Sequence, residues 1–296
     1  MMKLPQPLYQ LTDSLLFFWK YGAAPLLLPW RTLYVTRYLR WQLDARFGPR
    51  VGLDGPRKLT VILLAWKRMH NMEPIVRSLL RADFVERIIV SNNNPEYRIA
   101  DWISLRDDRL HLMDQPKATA PGIRFELARS SPGSYFMSID DDIFLYPEQV
   151  KRLFQALLER PGAIHGTQGE RYVGEAGGER KGNHRIHFGW QVNIRQREEQ
   201  VDVLNTVYTF SREHVTRLYE RAGQLGIEVS GLANGEDILL SASGTERPWV
   251  HDVGQVTDCI SYCRHGVSTW RTRQHFFKER TELLLALRGP EERRSA

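Results

Sequence analysis

The sequence predicts an α/β protein built on a parallel sheet. Leu59–Ala65 is a short, nearly continuous apolar run with several branched side chains, which is typical of a buried parallel strand. Residues 72–81 then place apolar side chains at helical spacing, and residues 85–90 form a second apolar run. Because a strand, a helix and a strand at this spacing form a βαβ unit, we expect the two strands to be parallel.

Two further runs extend the predicted sheet. Residues 110–113 form a weaker third strand, and residues 134–139 form a strong one that we place at the centre of the sheet. The second strand ends at Ser-Asn-Asn-Asn-Pro, residues 91–95, which is a strong turn signal. The central strand runs directly into three aspartates, residues 140–142, so polar side chains are expected where the strands end.

The three consecutive carboxylates are the most informative feature of the chain. Asp140, Asp141 and Asp142 repel one another, and strand formation does not favour them. Ligands bind at the carboxyl ends of strands in open α/β sheets, and hard oxygen atoms suit Mg²⁺ or Mn²⁺, which neutralises a substrate diphosphate. The alternative is an Asp-rich turn that caps the helix expected after Pro147. Since one aspartate would suffice for a cap, the triplet favours a metal site.

The composition is that of a globular protein with a real core. The chain has 296 residues, 42% of them hydrophobic and 26% charged, which predicts one large or two small domains and excludes disordered, collagen-like and coiled-coil classes. Cys259 and Cys263 cannot form a disulfide framework, and no second Cys or His pair with zinc-like spacing accompanies them. We interpret them as reduced thiols in a reducing compartment.

Positive charge is concentrated at the two ends of the chain. The net charge is +6, while residues 1–50 alone carry +5 and residues 264–296 carry +4. This distribution favours local anionic partners over a surface that coats nucleic acid. The chain also has no nucleic-acid-binding signature with interleaved aromatic residues, so nucleic acid is not expected as a partner.

Residues 1–56 form an N-terminal extension. Residues 15–30 are strongly apolar, but Lys20, Pro25 and Pro29 make them a poor spanning helix. Residues 31–46 are basic, with four side chains on one helical face: Tyr34, Tyr38, Trp41 and Ala45. Two interpretations stay open: an anchor at a membrane interface, or a helical extension packed on the main domain or on a second subunit. Glycines and prolines in residues 48–56 predict a domain boundary near residue 57.

Four segments, in order, resemble the exostosin-like glycosyltransferases, a metal-dependent retaining family with the GT-A nucleotide-sugar-binding fold. They are Val61-Ile-Leu-Leu-Ala-Trp-Lys-Arg68, Ile88-Ile-Val-Ser-Asn-Asn-Asn-Pro95, Ser138-Ile-Asp-Asp-Asp-Ile143 and Asn234-Gly-Glu-Asp-Ile-Leu239. Gly235 stands where the family usually has cysteine. The resemblance implies a mixed, mainly parallel sheet flanked by helices over residues 57–280. It leaves residues 281–296 as a C-terminal helix end and basic tail.

The resemblance also implies which residues bind the donor. Arg68 and Asn93 match positions that line the nucleotide pocket, and Arg124 matches a basic residue that contacts the donor. Arg271 or Arg273 resembles the C-terminal basic loop that holds the leaving diphosphate.

The carboxylates receive the metal and catalytic roles in the same way. Asp142 and Asp140 match the two ends of the metal motif, with Asp142 bound directly to the metal, Asp140 nearer the ribose and sugar, and Asp141 between them at the donor. Glu236 and Asp237 match a carboxylate pair near the donor sugar, with Asp237 the candidate catalytic group. The alternative for this pair is the first turn of a helix beginning near residue 238, where acidic side chains favour the dipole.

The expected function is transfer of a sugar, an N-acetylhexosamine by the resemblance, from a UDP-sugar to a glycan or lipid-linked acceptor. The resemblance implies Mn²⁺ or Mg²⁺ and retention of configuration. We expect a cytoplasmic location, peripheral on the inner membrane face through residues 1–50. Three alternatives remain: an inverting GT-A transferase in which Asp237 deprotonates the acceptor, a nucleotidyltransferase, or an inactive scaffold or membrane-binding subunit.

Two segments depart from the family pattern. Residues 204–208, Leu-Asn-Thr-Val-Tyr, replace the usual Leu-Thr-Gly-Ala-Ala beside the sugar, which leaves the sugar open. Residues 166–197 are rich in Gly, Arg and His and are interpreted as a mobile acceptor loop or a plain exposed loop. His265 is either a further metal ligand or an ordinary polar residue.

Overall fold

The computed structural model describes residues 29–174, 186–259 and 273–288, with the backbone alone for residues 29–35 and 186–187. In chain order, the described strands are β1 (Leu59–Ala65), β2 (Val85–Asn92), β3 (Leu110–Asp114), β4 (Tyr135–Asp140), β5 (Ile143–Phe144), β6 (His165–Gly166), β7 (Gln168–Tyr172), β8 (Ile186–His187), β9 (Trp190–Arg195), β10 (Glu199–Gln200), β11 (Val203–Leu204), β12 (Val207–Ser211), β13 (Trp249–Val250) and β14 (Thr257–Asp258). The described α-helices are α1 (Pro29–Phe47), α2 (Met72–Leu79), α3 (Ile123–Ser130), α4 (Pro147–Glu159), α5 (Arg212–Gln224), α6 (Glu236–Ser241) and α7 (Phe276–Leu287).

Eight of the described strands form the central sheet, in the order β10-β13-β6-β12-β4-β1-β2-β3. Strand β1 is parallel to both β2 and β4, and β2 is parallel to β3, whereas β12 is antiparallel to β4. Of the seven neighbouring pairs in this sheet, four are parallel. The predicted α/β class, with a mixed and mainly parallel sheet flanked by helices, is confirmed.

The hydrophobic core lies on both faces of this sheet. The side chains of β1 alternate between the two faces and are buried on each. Val61 and Leu63 share one buried cluster with apolar residues of α2 and α4. Ile62 and Leu64 share another with apolar residues of α3 and α5. All seven residues of β1 are buried, which explains why the sequence shows a continuous apolar run there instead of an alternating one.

The structure shifts several predicted boundaries by one or two residues. Strand β1 matches its prediction, α2 ends two residues earlier than expected, and β2 continues through residue 92 because Asn92 still pairs with Ala65. Helix α4 begins at Pro147 as predicted. Its N-terminus is completed by Gln149, whose Oε1 accepts from the Tyr146 amide at 3.0 Å. The aspartate triplet therefore does not cap this helix, and that alternative is wrong.

Strands occupy much of the segment in which the sequence suggested a loop. Strands β7 and β9 pair antiparallel within a smaller sheet of order β11-β7-β9-β8. Trp190, Val192 and Ile194 are buried at every second position of β9, which is the period of a half-buried strand. The loop interpretation of residues 166–197 is wrong for the described part, because this alternation outweighs the Gly-, Arg- and His-rich composition. Residues 175–185 lie outside the described residues.

Helix α1 of the N-terminal extension packs on the central domain. The Trp41 indole is fully buried, stacks on Phe144 with ring centroids 4.5 Å apart, and donates through Nε1 to the Leu145 carbonyl at 2.9 Å. Tyr38 also contacts Phe144, and Ala45 is buried, so the face predicted from the sequence points into the domain at these positions. No helix among the described residues has the length and apolar character needed to cross a bilayer.

The opposite face of α1 leaves apolar side chains in solvent. Leu39, Leu43 and Phe47 are 54%, 60% and 78% exposed, and they recur every four residues along one side of the helix. Arg40 and Arg46 are exposed beside them. The helix therefore has a buried aromatic face and an exposed face that is both apolar and basic.

We predict that Trp41→Ala lowers the free energy of unfolding by about 3–5 kcal/mol, since it removes a buried aromatic ring and leaves a cavity. Leu43→Ala on the exposed face of the same helix is the matched control and should change it by less than about 0.5 kcal/mol. Urea denaturation of the full chain measures both. Equal small effects would mean that α1 does not contribute to the folded domain.

Candidate functional site

The carboxyl ends of three parallel strands meet at one edge of the central sheet. Leu64 pairs with Asp140, and Ala65 pairs with Asn92, so β4 and β2 end level with β1. The segments that follow these strands therefore lie next to one another. They contain the aromatic-basic turn at residues 66–68, the Asn-rich turn at residues 92–94 and the aspartate triplet.

The Asp141 carboxylate accepts hydrogen bonds from the turn that follows β1. Its Oδ2 accepts from the Trp66 amide at 3.0 Å and from the Arg68 amide at 3.4 Å, and its Oδ1 accepts from Arg68 Nη1 at 2.7 Å. Its main-chain carbonyl accepts from Asn71 Nδ2 at 2.8 Å. These bonds tie the end of β4 to the turn after β1, so the Asp141 carboxylate is directed at the protein rather than at the open edge.

Asp142 keeps one carboxylate oxygen without a partner in the described part of the chain. Its Oδ2 lies 3.0 Å from Arg68 Nη1, while its Oδ1 is buried and accepts no hydrogen bond from any described residue. Burial raises the pKa of Asp142 well above its usual range, Arg68 opposes that shift, and Asp141 and Asp140 add to it. A buried carboxylate oxygen with unused lone pairs is costly, and a cation would supply the missing partner.

Arg124 sets the position of Asp140. Its Nη2 donates to Asp140 Oδ1 at 2.9 Å, and its Nη1 donates to Ser138 Oγ at 3.0 Å and to Tyr208 Oη at 2.6 Å. Burial raises the pKa of Asp140, and Arg124 lowers it. About a third of the Asp140 side chain is exposed, so this carboxylate faces the open edge while Arg124 holds it from behind.

Asp140 and Asp142 together fit a divalent cation of the Mg²⁺ type. The described residues contain no group of three or more His, Cys, Asp or Glu side chains arranged around a common metal position. Mg²⁺ is usually held by one or two carboxylates together with substrate phosphates, and not by a complete protein cage. The unpartnered Asp142 oxygen and the accessible Asp140 carboxylate match that pattern.

Asn93 joins the turns that border the edge. Its amide donates to the Ala65 carbonyl at 2.8 Å, its Oδ1 accepts from Ser91 Oγ at 2.8 Å, and its carbonyl accepts from the Thr119 amide at 3.1 Å. The side chain is 3% exposed. Trp66, to which the sequence analysis gave no role, is 37% exposed at the same edge. An aromatic residue directly after a buried strand is the signal that could have identified it.

Asp237 is held by a buried arginine. Its two oxygens accept from Arg280 Nη1 and Nη2 at 2.9 and 3.0 Å, and Nη2 also donates to Glu170 Oε2 at 3.0 Å. The guanidinium lies 5.6 Å from the Trp190 ring centroid and 5.2 Å from that of Phe276. Sequence reasoning missed Arg280 and Glu170, because each lies in a different element far along the chain from Asp237.

Glu236 has a different environment from its neighbour. Helix α6 begins at Glu236, and Gly235 before it has φ +90°, a left-handed conformation that favours glycine. Burial raises the pKa of Glu236 to about 7, Asp237 adds to the shift, and Arg124 and Arg280 oppose it. A carboxyl group that is half ionised near neutral pH suits proton transfer or charge stabilisation. Arg124 thus acts electrostatically on both Asp140 and Glu236.

Packing against α7 also favours glycine at position 235. A Cβ there would lie 2.6 Å from Leu283 Cδ2, because α7 packs against this turn. A cysteine at this position would require both a strained φ and a shift of the Leu283 side chain.

The remaining predicted site residues lie toward the C-terminus. Arg273 donates through Nε to Glu279 Oε2 at 2.5 Å, and Asn234 Nδ2 donates to the same oxygen at 2.8 Å. Arg273 therefore lies at the junction of α7 with the turn before Glu236. Arg271, His265 and Cys263 lie outside the described residues.

Comparison with solved structures shows a likeness of fold. No family model matches the chain, and no curated protein matches it. The structure is similar to the crystal structure of GalNAc-T7 with UDP, GalNAc and Mn²⁺, with a TM-score of 0.48 and 10% sequence identity, over 68% of this chain and 43% of that chain. The chain thus spans less than half the length of that protein. Membership of the exostosin-like family stays a prediction.

Proposed function

We propose that the chain is a metal-dependent GT-A glycosyltransferase that takes a sugar from a UDP-sugar and transfers it to a glycan or lipid-linked acceptor. The observation that carries the proposal is the buried Oδ1 of Asp142, to which no described residue donates a hydrogen bond. It lies with the accessible Asp140 carboxylate at the carboxyl edge of a parallel sheet. The choice of UDP, of an N-acetylhexosamine and of retention follows the sequence resemblance.

Two buried arginines orient the carboxylates of the proposed donor site. Arg68 fixes the turn after β1 and directs Asp142, while Arg124 directs Asp140. Asp142 and Asp140 would hold Mn²⁺ or Mg²⁺, which supplies positive charge to the leaving diphosphate when bound. Trp66 offers an aromatic face, and the Asn93 turn offers polar atoms, for the nucleoside. Arg273 and Arg271, which belong to the predicted C-terminal basic loop, are proposed to contact the diphosphate.

In the proposed transfer, the bond between the sugar anomeric carbon and the diphosphate oxygen breaks, and its electron pair leaves with UDP. A new bond forms from the acceptor oxygen to the same carbon, and the acceptor proton passes to the leaving diphosphate in the retaining course. Glu236 is proposed to stabilise the developing positive charge on the sugar. Asp237 is proposed as a positioning residue, since Arg280 already occupies both of its oxygens.

The inverting course is a second candidate, favoured by one observation. With its pKa raised to about 7, Glu236 is basic enough to accept the acceptor proton directly. The anomeric configuration of the first-formed product, measured by NMR, distinguishes the two courses.

We predict that Asp142→Asn weakens Mn²⁺-dependent UDP binding by at least about tenfold, which is about 1.4 kcal/mol. Titration calorimetry of UDP with and without Mn²⁺ measures the effect. Asp108→Asn, at an exposed aspartate outside the sheet edge, is the control and should bind like the wild type. Asn is nearly isosteric with Asp and relieves carboxylate repulsion, so unfolding is not expected to explain the loss. Undiminished metal-dependent binding by Asp142→Asn would refute this metal site.

We predict that the rate of sugar transfer, or of UDP-sugar hydrolysis, rises as the pH increases through about 7. The raised pKa of Glu236 keeps its proton on below that pH, and only the carboxylate can act as a base or stabilise positive charge. Glu236→Gln should remove this inflection and lower kcat by about 10²–10⁴-fold. Glu213→Gln, at a side chain 82% exposed, is the matched control and should leave the profile unchanged. An inflection that persists in Glu236→Gln belongs to another group.

We also propose that the enzyme lies peripherally on the cytoplasmic face of a membrane. The exposed face of α1 combines Leu39, Leu43 and Phe47 with Arg40 and Arg46, which suits the surface of an anionic bilayer. The apolar residues 15–28 precede this helix in the sequence.

We predict that the full chain sediments with phosphatidylglycerol vesicles more than with phosphatidylcholine vesicles, and less so in high salt. Leu43→Asp should reduce the bound fraction severalfold because it places a negative charge in the apolar stripe. Leu225→Asp, at an apolar residue 39% exposed after α5, is the matched control. If both variants sediment like the wild type, this face of α1 does not contact lipid.

A further inference from the structure

A cavity of about 190 Å³ lies beside the aspartate edge. Its walls combine polar and apolar side chains from elements that are distant in the sequence. The lining residues that matter here are Arg37, Gln168, Arg195, Gln196, Thr206 and Asp258. Polar groups that converge on a concave surface from several elements are typical of a ligand site.

Two walls of this cavity adjoin the proposed metal carboxylates. The Thr206 carbonyl accepts from the Asp140 amide at 3.1 Å, so Thr206 directly neighbours the backbone of Asp140. On the other side, Asp258 pairs with Ile143, another lining residue, which follows Asp142 in the chain. A ligand in the cavity would therefore reach the sheet edge where the donor sugar is proposed to bind.

Backbone strain marks the same cavity. Thr206 has φ +66° and Gln196 has φ +55°, and neither is a glycine. For a β-branched residue such as Thr206, this conformation is a genuine outlier. Strain of this kind persists only where the surroundings enforce it, and it clusters at ligand sites. Here, the Asp140 amide and the bond from Val207 N to the Asn205 carbonyl at 2.8 Å hold the turn.

The charge of the lining predicts the chemistry of the ligand. Arg195 Nη1 lies 3.1 Å from Asp258 Oδ2, so these two charges are paired. Arg37 forms no ion pair or hydrogen bond with any described residue, which leaves its positive charge available to a ligand. The Gln168 amide already donates to Asn193 Oδ1 at 3.3 Å, and the Thr206 hydroxyl donates to the Asn205 carbonyl at 2.7 Å. A hydroxyl oxygen that donates its proton can still accept, so the Thr206 oxygen suits a sugar hydroxyl. The combination fits a sugar that carries an anionic group.

Helix α1 relates this cavity to the membrane face proposed above. Arg37 enters the cavity from α1, which packs against β14, while Leu39 and Leu43 of the same helix are exposed on another side. At 3.6 residues per turn, Arg37 lies nearly opposite Leu39 around the helix, so a ligand that extends from a bilayer surface would reach Arg37 only around the side of α1. Phosphate is the anionic group that links sugars to lipids at such a surface.

We propose that this cavity is the acceptor subsite and that the acceptor is a phosphate-bearing sugar whose phosphate binds Arg37. The inference rests on the proposed function, because it supplies the hydroxyl that attacks the donor sugar. The acceptor hydroxyl lies in the cavity beside Thr206, and the phosphate lies toward α1. In the transfer, the acceptor phosphate is retained and only its sugar oxygen forms a new bond.

The test is binding of three small probes to the full chain in the presence of UDP and Mn²⁺. The probes are glucose 1-phosphate, dodecyl glucosyl phosphate and uncharged methyl glucoside, with binding followed by ligand-observed NMR. We expect both phosphate probes to bind at least about tenfold more tightly than methyl glucoside, as one charge-assisted contact predicts. Tighter binding of the dodecyl probe would assign a lipid-linked source, and equal binding of the two would assign a soluble one.

Two variants and one matched control identify the cavity. Arg37→Gln should remove the preference for phosphate, whereas Arg40→Gln, on the exposed side of the same helix, should keep it. Gln196→Trp, at an exposed position on the cavity rim, should block all three probes without changing UDP binding.

The outcome separates this inference from the proposed function. Intact UDP binding with equal or absent binding of the charged and neutral probes overturns the inference alone, as does a phosphate preference that survives Arg37→Gln. Absence of UDP binding by the wild type would remove the proposed function, and the acceptor subsite with it.

Discussion

The buried contact of the Arg68 guanidinium with Asp141 and Asp142 is the interaction on which the sheet edge depends. Three adjacent carboxylates in a buried position repel one another, and their desolvation is costly. Arg68 compensates two of them and Arg124 compensates the third, both from inside the protein. Among the described residues, this division leaves one oxygen of Asp142 without a partner and keeps Asp140 accessible, so the edge offers carboxylate oxygens where a cation can reach them.

A similar asymmetry separates the two carboxylates at the start of α6. Arg280 binds Asp237 in a bidentate pair and joins it to Glu170, and this fixes the helix against α7 and the smaller sheet. Glu236 has no such partner among the residues that the structure describes, and burial raises its pKa to about 7. In both places the buried arginine fixes one carboxylate while its neighbour stays available. We therefore interpret Asp141 and Asp237 as parts of the scaffold that positions Asp142 and Glu236.

The sequence predicted the strands and helices that are determined by residues close together in the chain. The apolar runs of β1 and β4 and the βαβ spacing placed the aspartate triplet at a strand end, and Pro147 identified the start of α4. The partners of Asp141 and Asp237 could not be predicted, because Arg68 and Arg280 lie 73 and 43 residues away in the chain and no periodicity reports such pairs. The alternation of apolar and polar residues in β9 is visible in the sequence, but the Gly-rich composition around it favoured the interpretation as a loop.

We propose that a divalent cation binds at Asp142 together with the donor diphosphate. A crystal of the full chain grown with UDP and Mn²⁺, measured at a wavelength where manganese scatters anomalously, tests it most directly. We expect one anomalous peak within bonding distance of Asp142 Oδ1 and of a diphosphate oxygen, while Asp141 remains bound to Arg68. Bound UDP with no anomalous peak beside Asp142, or a peak held by Asp141 instead, would contradict it.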